Sequence, residues 1–109
     1  MSLDILQSAI KNLQPIEFEY NKSGKTPGKR IGNPHAVFII KRKDGSDSTK
    51  VHIVQTDGVS DSGQEFPSFR MFDIEELSDI KLLNNSMKFK PSEKYNSQWE
   101  GYAFVICKI

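Results

Sequence analysis

The chain has 109 residues, a length typical of one domain, and a formal net charge of +1. Hydrophobic residues make up 37% and charged residues 27%, which indicates a globular rather than a disordered protein. Uncharged apolar runs such as residues 36–40 are too short to cross a bilayer, and residues 1–4 lack the features of a signal peptide. The single cysteine, Cys107, excludes an internal disulfide. We therefore expect a cytoplasmic protein that does not contact a membrane.

The first residues predict an amphipathic helix over about residues 2–14. Leu3, Leu6, Ile10 and Leu13 recur at helical spacing, and Pro15 prevents the helix from continuing. The apolar period then changes to two over residues 16–20, which predicts a strand with one buried face.

The middle of the chain predicts short strands joined by tight turns. A second strand is expected over residues 29–31, with a break at Asn33-Pro34 and a continuation over 35–41. Asp44-Gly45-Ser46-Asp47 is a strong hairpin signal, and residues 50–56 are expected to form the returning strand.

Further strands are expected over residues 68–72 and 78–83, separated by one helical turn that Asp73 would cap. Residues 84–99 contain turn formers, and residues 102–109 predict a final strand. One helix followed by strands at hairpin spacing favours a small barrel or a strongly bent sheet. We expect a single domain with a helix over about 2–14, a barrel over about 15–83 and a C-terminal extension over about 84–109.

Charge is distributed unevenly along the chain. Residues 22–43 contain basic side chains and no acid, whereas residues 57–79 contain seven acids and one arginine, Arg70. Either the two segments lie side by side and neutralise each other, or the first presents a basic binding face. The sequence favours neither alternative.

The motifs do not require an enzyme. Gly24-Lys25-Thr26 resembles the end of a phosphate-binding loop, but Glu19 stands where that loop needs its first glycine. His35 and His52 occur in no short metal-binding spacing, and the pattern around Cys107 favours a buried thiol. We expect no catalytic residue, no metal and no cofactor.

Aromatic residues near the end of the chain allow two interpretations. Tyr95, Trp99 and Tyr102 lie in or beside polar segments, whereas Phe104 fits a strand core. Such aromatics either fold back to close the open end of a barrel or, beside lysine and arginine, form a stacking platform for single-stranded nucleic acid.

The order of the motifs resembles the WYL domain family. The resemblance is carried by four segments in order: Ile16-Glu17-Phe18-Glu19-Tyr20, residues 30–37 with Arg30 and Pro34, a strand that closes on Gln55-Thr56-Asp57-Gly58, and residues 69–77, which begin Phe69-Arg70-Met71-Phe72. The resemblance covers about residues 3–83. Val51-His52-Ile53 stands where the family carries Trp-Tyr-Leu, and the chain shows no helix-turn-helix region.

The resemblance implies an SH3-like (Sm-like) β-barrel and a non-catalytic, ligand-sensing module of the kind found in bacterial transcription regulation. It places Arg30 and Arg70 at the matching arginine positions and His52 at the position of the central tyrosine. Because a guanidinium pairs bidentately with phosphate, these residues suit an anion site. Arg70 either contacts the ligand or pairs with a neighbouring acid such as Asp73 or Glu75.

We therefore expect a binding module for single-stranded nucleic acid or a nucleotide-like phosphate ligand. The expected contact residues are Arg30, Lys41, Arg42, Lys43, His52 and Arg70. The alternative is a protein-interaction or assembly module without a small ligand, in which the final strand is an edge that pairs with a partner or with a second copy.

Overall fold

A computed structural model describes residues 2–60, 65–83 and 87–109, so Asp61 among the expected acids and the first residues of the predicted extension lie outside the described residues. Helix α1 spans Ser2–Asn12. It ends two residues earlier than the pattern predicts because Leu13 takes a left-handed conformation, with φ of 52°. The Leu13 and Gln14 N–H groups then donate to the carbonyls of Ile10 and Ala9, at 3.3 and 2.8 Å, which closes the helix end. No helix among the described residues is long and apolar enough to cross a membrane.

The rest of the fold is a six-stranded antiparallel sheet. Its strands are β1 (Ile16–Tyr20), β2 (Lys29–Lys41), β3 (Asp47–Gly58), β4 (Ser68–Asp73), β5 (Leu77–Leu82) and β6 (Val105–Lys108). Single 3₁₀ turns occur at Ile74–Glu76 and Glu100–Tyr102. The strand order is β4-β3-β2-β1-β5, with β6 paired to β2. The predicted mostly β class with an N-terminal helix is confirmed. In the described sheet β4 and β5 are the two outermost strands of this order and do not pair with each other, so a closed barrel is not shown.

The local predictions for β1 and the β2–β3 hairpin are confirmed. Alternate residues of β1 are buried, as its period of two requires. At the hairpin, the Arg42 N–H donates to the Ser46 carbonyl and the Gly45 N–H to the Arg42 carbonyl, at 2.9 and 3.1 Å. Gly45 supplies the positive φ, 88°, that this turn needs.

The predicted break at Asn33-Pro34 is wrong, since β2 runs through it without interruption. The sheet accommodates Pro34 with a β-bulge: Pro34 pairs with Ile53 and Ala36 with His52, which leaves His35 as the extra residue. A bulge tolerates a proline because one ladder hydrogen bond is already missing there. It also redirects the side chain of His35.

The final strand is shorter than predicted and is paired within the chain. Tyr102 belongs to the preceding 3₁₀ turn, and β6 pairs through Val105, Cys107 and Lys108 with residues 36–38 of β2. Because β3 occupies the other edge of β2, β6 takes the edge that β1 leaves after Gly32. Phe104, expected in a strand core, is 52% exposed.

Asp73 does not cap the helical turn that follows it. Its carboxylate makes no capping hydrogen bond and instead pairs with Lys22, at 2.6 Å, and with Lys50. The Lys22 pair joins the basic and acidic segments, so part of the uneven charge is neutralised locally. Lys29 pairs with Glu17, at 3.8 Å.

The sheet has two covered faces, here called inner and outer. On the inner face, α1 packs on the main core, whose strand residues include Phe18, Val37, Val51, Ile53 and Phe72. On the outer face, residues 87–104, here called the C-terminal segment, place Tyr95 and Tyr102 against Ala36 and Phe38. This second packing layer carries the candidate site.

Candidate functional site

The structure places the six expected contact residues in three separate regions. Arg30 and Arg70 lie on the inner face, where β3 ends. Lys41, Arg42 and Lys43 lie at the tip of the β2–β3 hairpin, about 35 Å along the strand from Arg30 at 3.3 Å per residue. His52 points to the outer face, because its neighbours Val51 and Ile53 belong to the inner core. The expected cluster of two arginines and a histidine therefore does not form.

Arg30 and Arg70 meet at one buried amide. Nη1 of each donates to Oε1 of Gln55, at 3.3 and 3.5 Å. Arg30 is fully buried between the rings of Tyr20 and Phe72, 5.7 Å from each centroid. This geometry gives Arg30 a part in holding the end of the core together.

Arg70 is less enclosed than Arg30. It donates to the hydroxyls of Ser68 and Ser60, at 3.1 and 2.8 Å, and lies over the ring of Phe66. These contacts fix the guanidinium at the rim of the inner face.

All three basic residues at the hairpin tip are exposed to solvent. Lys41 pairs with Asp47 at 3.1 Å and lies over the ring of Phe104. Hydrogen bonds from Ser46 hold the pKa of Asp44 below its usual value, so this acid is ionised beside Arg42 at neutral pH. The tip therefore carries charges of both signs.

His52 lies at the centre of an aromatic cluster on the outer face. Its ring centroid is 4.7 Å from Phe38, 4.9 Å from Phe69 and 5.4 Å from Trp99. Its Nδ1 is 2.6 Å from the hydroxyl of Tyr102. Burial, together with the nearby His35, lowers the pKa of His52 to about 4, so the ring is neutral at physiological pH.

His35 fastens the C-terminal segment to the sheet. The Ser92 N–H donates to Nε2 of His35 at 2.9 Å, so Nδ1 carries the ring hydrogen and donates to the Asn33 carbonyl at 2.7 Å. The ring also stacks on Phe89. Burial lowers the pKa of His35, which keeps the imidazole neutral and able to accept from Ser92.

Two adjoining clefts open between the outer face and the C-terminal segment. The larger has a volume of about 440 Å³ and is lined on one side by β2–β4 and on the other by residues 90–94. The smaller, of about 210 Å³, is lined by His52, Phe69, Lys94, Asn96, Trp99 and Tyr102. Phe69 and Lys94 line both clefts, so we call the two together the outer groove.

The wall of the outer groove combines an exposed ring with basic side chains. Trp99 is 40% exposed and lies so close over Gly101 that a Cβ there would be 2.3 Å from the indole ring. Lys90 and Lys94 line the groove together with one acid, Glu93. The groove thus offers an aromatic surface and a small excess of positive charge.

Of the groove residues, only His52 was among the expected contacts. The sequence pointed to the remaining groove residues only through the aromatics at positions 95, 99 and 102. A stacking platform was one of the two interpretations of these aromatics. The structure packs Tyr102 against the sheet and leaves the ring of Trp99 partly exposed. The described residues contain no group of three or more His, Cys, Asp or Glu side chains placed to hold a metal ion.

Comparison with known proteins gives no relative for this chain. No protein-family model, no curated protein and no solved structure matches it. The likeness to the WYL family therefore stays a prediction from the sequence, and the arguments for function below rest on the geometry of the outer groove.

Proposed function

We propose that this protein is a non-catalytic module that binds single-stranded nucleic acid or a nucleotide-like phosphate ligand in the outer groove. The observation that carries the proposal is the partly exposed ring of Trp99 on the wall of a cleft that Phe69, His52 and Lys94 also line. The proposal includes a WYL-like module with an SH3-like fold, for which the N-terminal helix and the antiparallel strands are the support, and a role of that module in transcription regulation.

The binding mechanism follows from the two kinds of groups in the groove. Bases stack on aromatic rings whatever their identity, at about 1–3 kcal/mol per base. Phosphates pair with lysine and release counterions, which makes the affinity depend on salt. Lys90 and Lys94 supply the charge, and Trp99 and Phe69 supply the stacking surface. Lys41, Arg42 and Lys43 at the hairpin tip would extend the contact with a longer strand.

The test is fluorescence anisotropy of a labelled single-stranded oligonucleotide, titrated with the protein at several salt concentrations. We expect saturable binding whose logarithmic affinity falls with the logarithm of salt by about 0.7 for each phosphate neutralised. Lys94→Ala should reduce that slope by about 0.7, and Trp99→Ala should weaken binding about tenfold or more.

The matched control is Lys11→Ala, which removes the same charge from α1, the helix on the inner face. It should leave both affinity and slope unchanged. Lys43→Ala tests the hairpin tip in the same way. Arg30→Ala and Arg70→Ala are poor probes because both side chains hold Gln55, so their loss disturbs the fold as well. Absence of binding at high micromolar protein and low salt would overturn the proposal.

A further inference from the structure

The small cleft has the dimensions of a pocket for one planar ring. Its volume of about 210 Å³ equals that of about seven water molecules, and three aromatic side chains and one imidazole form much of its lining. Lys94 and Asn96 complete the lining with polar groups. The inference below rests on the proposed function and concerns which bases this pocket accepts.

The hydrogen bond between Tyr102 and His52 fixes which nitrogen of His52 carries the ring hydrogen. Tyr102 is only 6% exposed, and among the described residues its hydroxyl contacts no acceptor except Nδ1 of His52. A buried hydroxyl needs an acceptor for its hydrogen, so the Tyr102 O–H donates to Nδ1. Nε2 of His52 then carries the ring hydrogen and is a donor.

A hydrogen bond likewise fixes which atom of the Asn96 amide remains free, and that atom is again a donor. Its Oδ1 accepts from the backbone N–H of Gln98 at 3.0 Å, which fixes the orientation of the amide because a backbone N–H cannot donate to an NH₂ group. The Nδ2 group is left as a donor with no partner among the described residues. The indole N–H of Trp99 and the ammonium group of Lys94 are donors as well.

Most of the polar side-chain atoms that line the small cleft are thus donors. Nδ1 of His52 and Oδ1 of Asn96 already accept hydrogen bonds, and the hydroxyl oxygen of Tyr102 keeps its capacity to accept. A base whose edge carries oxygen acceptors complements this lining. A base with an exocyclic amino group places a donor against donors, and an unpaired buried donor is costly. We propose that the small cleft selects the oxo bases thymine and uracil over the bases that carry an exocyclic amino group, which are adenine, cytosine and guanine.

Stacking alone predicts a different order. A purine has a larger ring surface than a pyrimidine, so a site that used only aromatic contact would bind adenine at least as tightly as thymine. Preference for thymine over adenine therefore distinguishes recognition by hydrogen bonds from stacking on Trp99 and Phe69. Comparison of thymine with cytosine removes the difference in ring size.

The experiment compares labelled (dT), (dA) and (dC) oligonucleotides of equal length at one salt concentration. We expect the unsubstituted protein to bind (dT) about tenfold more tightly than the other two. Asn96→Asp keeps the acceptor for Gln98 but replaces the amide donor with a second acceptor, so the ratio of (dT) to (dC) affinity should fall severalfold. Tyr102→Phe removes the hydroxyl that fixes His52 and should lower the same ratio.

The control is Lys90→Ala. Lys90 lines the larger cleft and not the small one, so its loss should lower the affinity for all three oligonucleotides by the same factor. Equal affinity for the three bases, or tighter binding of (dA) than of (dT), would overturn the selection of oxo bases and leave the proposed binding function standing. A ratio unchanged in Asn96→Asp would also overturn it. Failure of all three oligonucleotides to bind would overturn both proposals.

Discussion

Asp73 joins three parts of the chain through its side chain. It follows directly after Phe72 at the end of β4 and pairs with Lys22 of the loop after β1 and Lys50 of β3. The hydrogen bonds from Lys22 and Lys50 lower the pKa of Asp73 to about 2. The carboxylate therefore stabilises the fold above about pH 4, and this contribution is lost as the pH falls towards 2.

Asp73→Asn should destabilise the protein by about 1–2 kcal/mol at pH 7, because it leaves the ammonium of Lys50, with 14% of its side chain exposed, without its partner. Urea denaturation measures the change. The control is Asp47→Asn, which breaks an exposed pair with Lys41 and should cost less than about 0.5 kcal/mol. Equal losses from the two substitutions would contradict this role of Asp73.

The sequence indicates the residue types of such a contact but not the partners. Asp73 has the position and chemistry of a helix cap, and only the folding of the loop around Lys22 shows that lysines compete for it. No local pattern marks Gln55 as the partner of both Arg30 and Arg70. Polar networks of this kind join strands distant in the chain, and no local pattern encodes them.

At the scale of the element, the outer layer depends on two neutral histidines. Both His35 and His52 have a pKa below the usual value. The titratable groups near His52 are Tyr102, Lys94 and His35. In the unfolded chain each would titrate near pH 6.5. Between pH 6.5 and about 4 the unfolded state therefore binds more protons, and the stability of the fold falls as the pH falls.

We expect the free energy of unfolding to decrease by about 1–3 kcal/mol between pH 7 and pH 4 on account of these rings. His52→Gln should flatten part of this dependence, because glutamine does not titrate. Denaturation at pH 7, 5.5 and 4 provides the measurement. Below pH 4, where Asp73 titrates, the unsubstituted protein and His52→Gln should lose stability in parallel. If the free energy of unfolding depends on pH identically in the two proteins from pH 7 to pH 4, the assignment to His52 is refuted.

Elements with a strong local pattern were predictable, and those that depend on distant partners were not. The apolar spacing of α1, the alternation of β1 and the Asp44-Gly45 turn each act over a few residues. The bulge at His35 could not be inferred, because Pro34 predicts a break unless a neighbouring strand continues past it. The pairing of β6 with β2 depends on where the C-terminal segment packs, so the candidate groove was predicted only through His52 and the aromatic run.

For the whole molecule, the topology implies an order of assembly. The β2–β3 hairpin is closed by a short turn, whereas the hydrogen bond from Ser92 to His35 spans 57 residues of chain. Because closing a long loop costs more entropy than closing a short one, we expect the hairpin to form first. Val37→Ala and Val51→Ala, on facing strands, should then give folding φ-values above about 0.5.

Phe89→Leu, in the C-terminal segment, should give a φ-value near zero and should mainly accelerate unfolding. Stopped-flow folding and unfolding rates over a range of denaturant supply both quantities. A high φ-value at Phe89 together with low values at both valines would reverse the proposed order.

The position of the only tryptophan has a practical consequence. Trp99 is partly exposed on the wall of the small cleft, held flat against Gly101, and no second indole contributes light from elsewhere in the chain. A base stacked on this ring quenches its emission, and detachment of the C-terminal segment shifts the emission towards that of an indole in water. The emission of Trp99 in the unlabelled protein therefore reports both events and distinguishes them: ligand binding in the small cleft changes its intensity, and detachment of the C-terminal segment changes its wavelength.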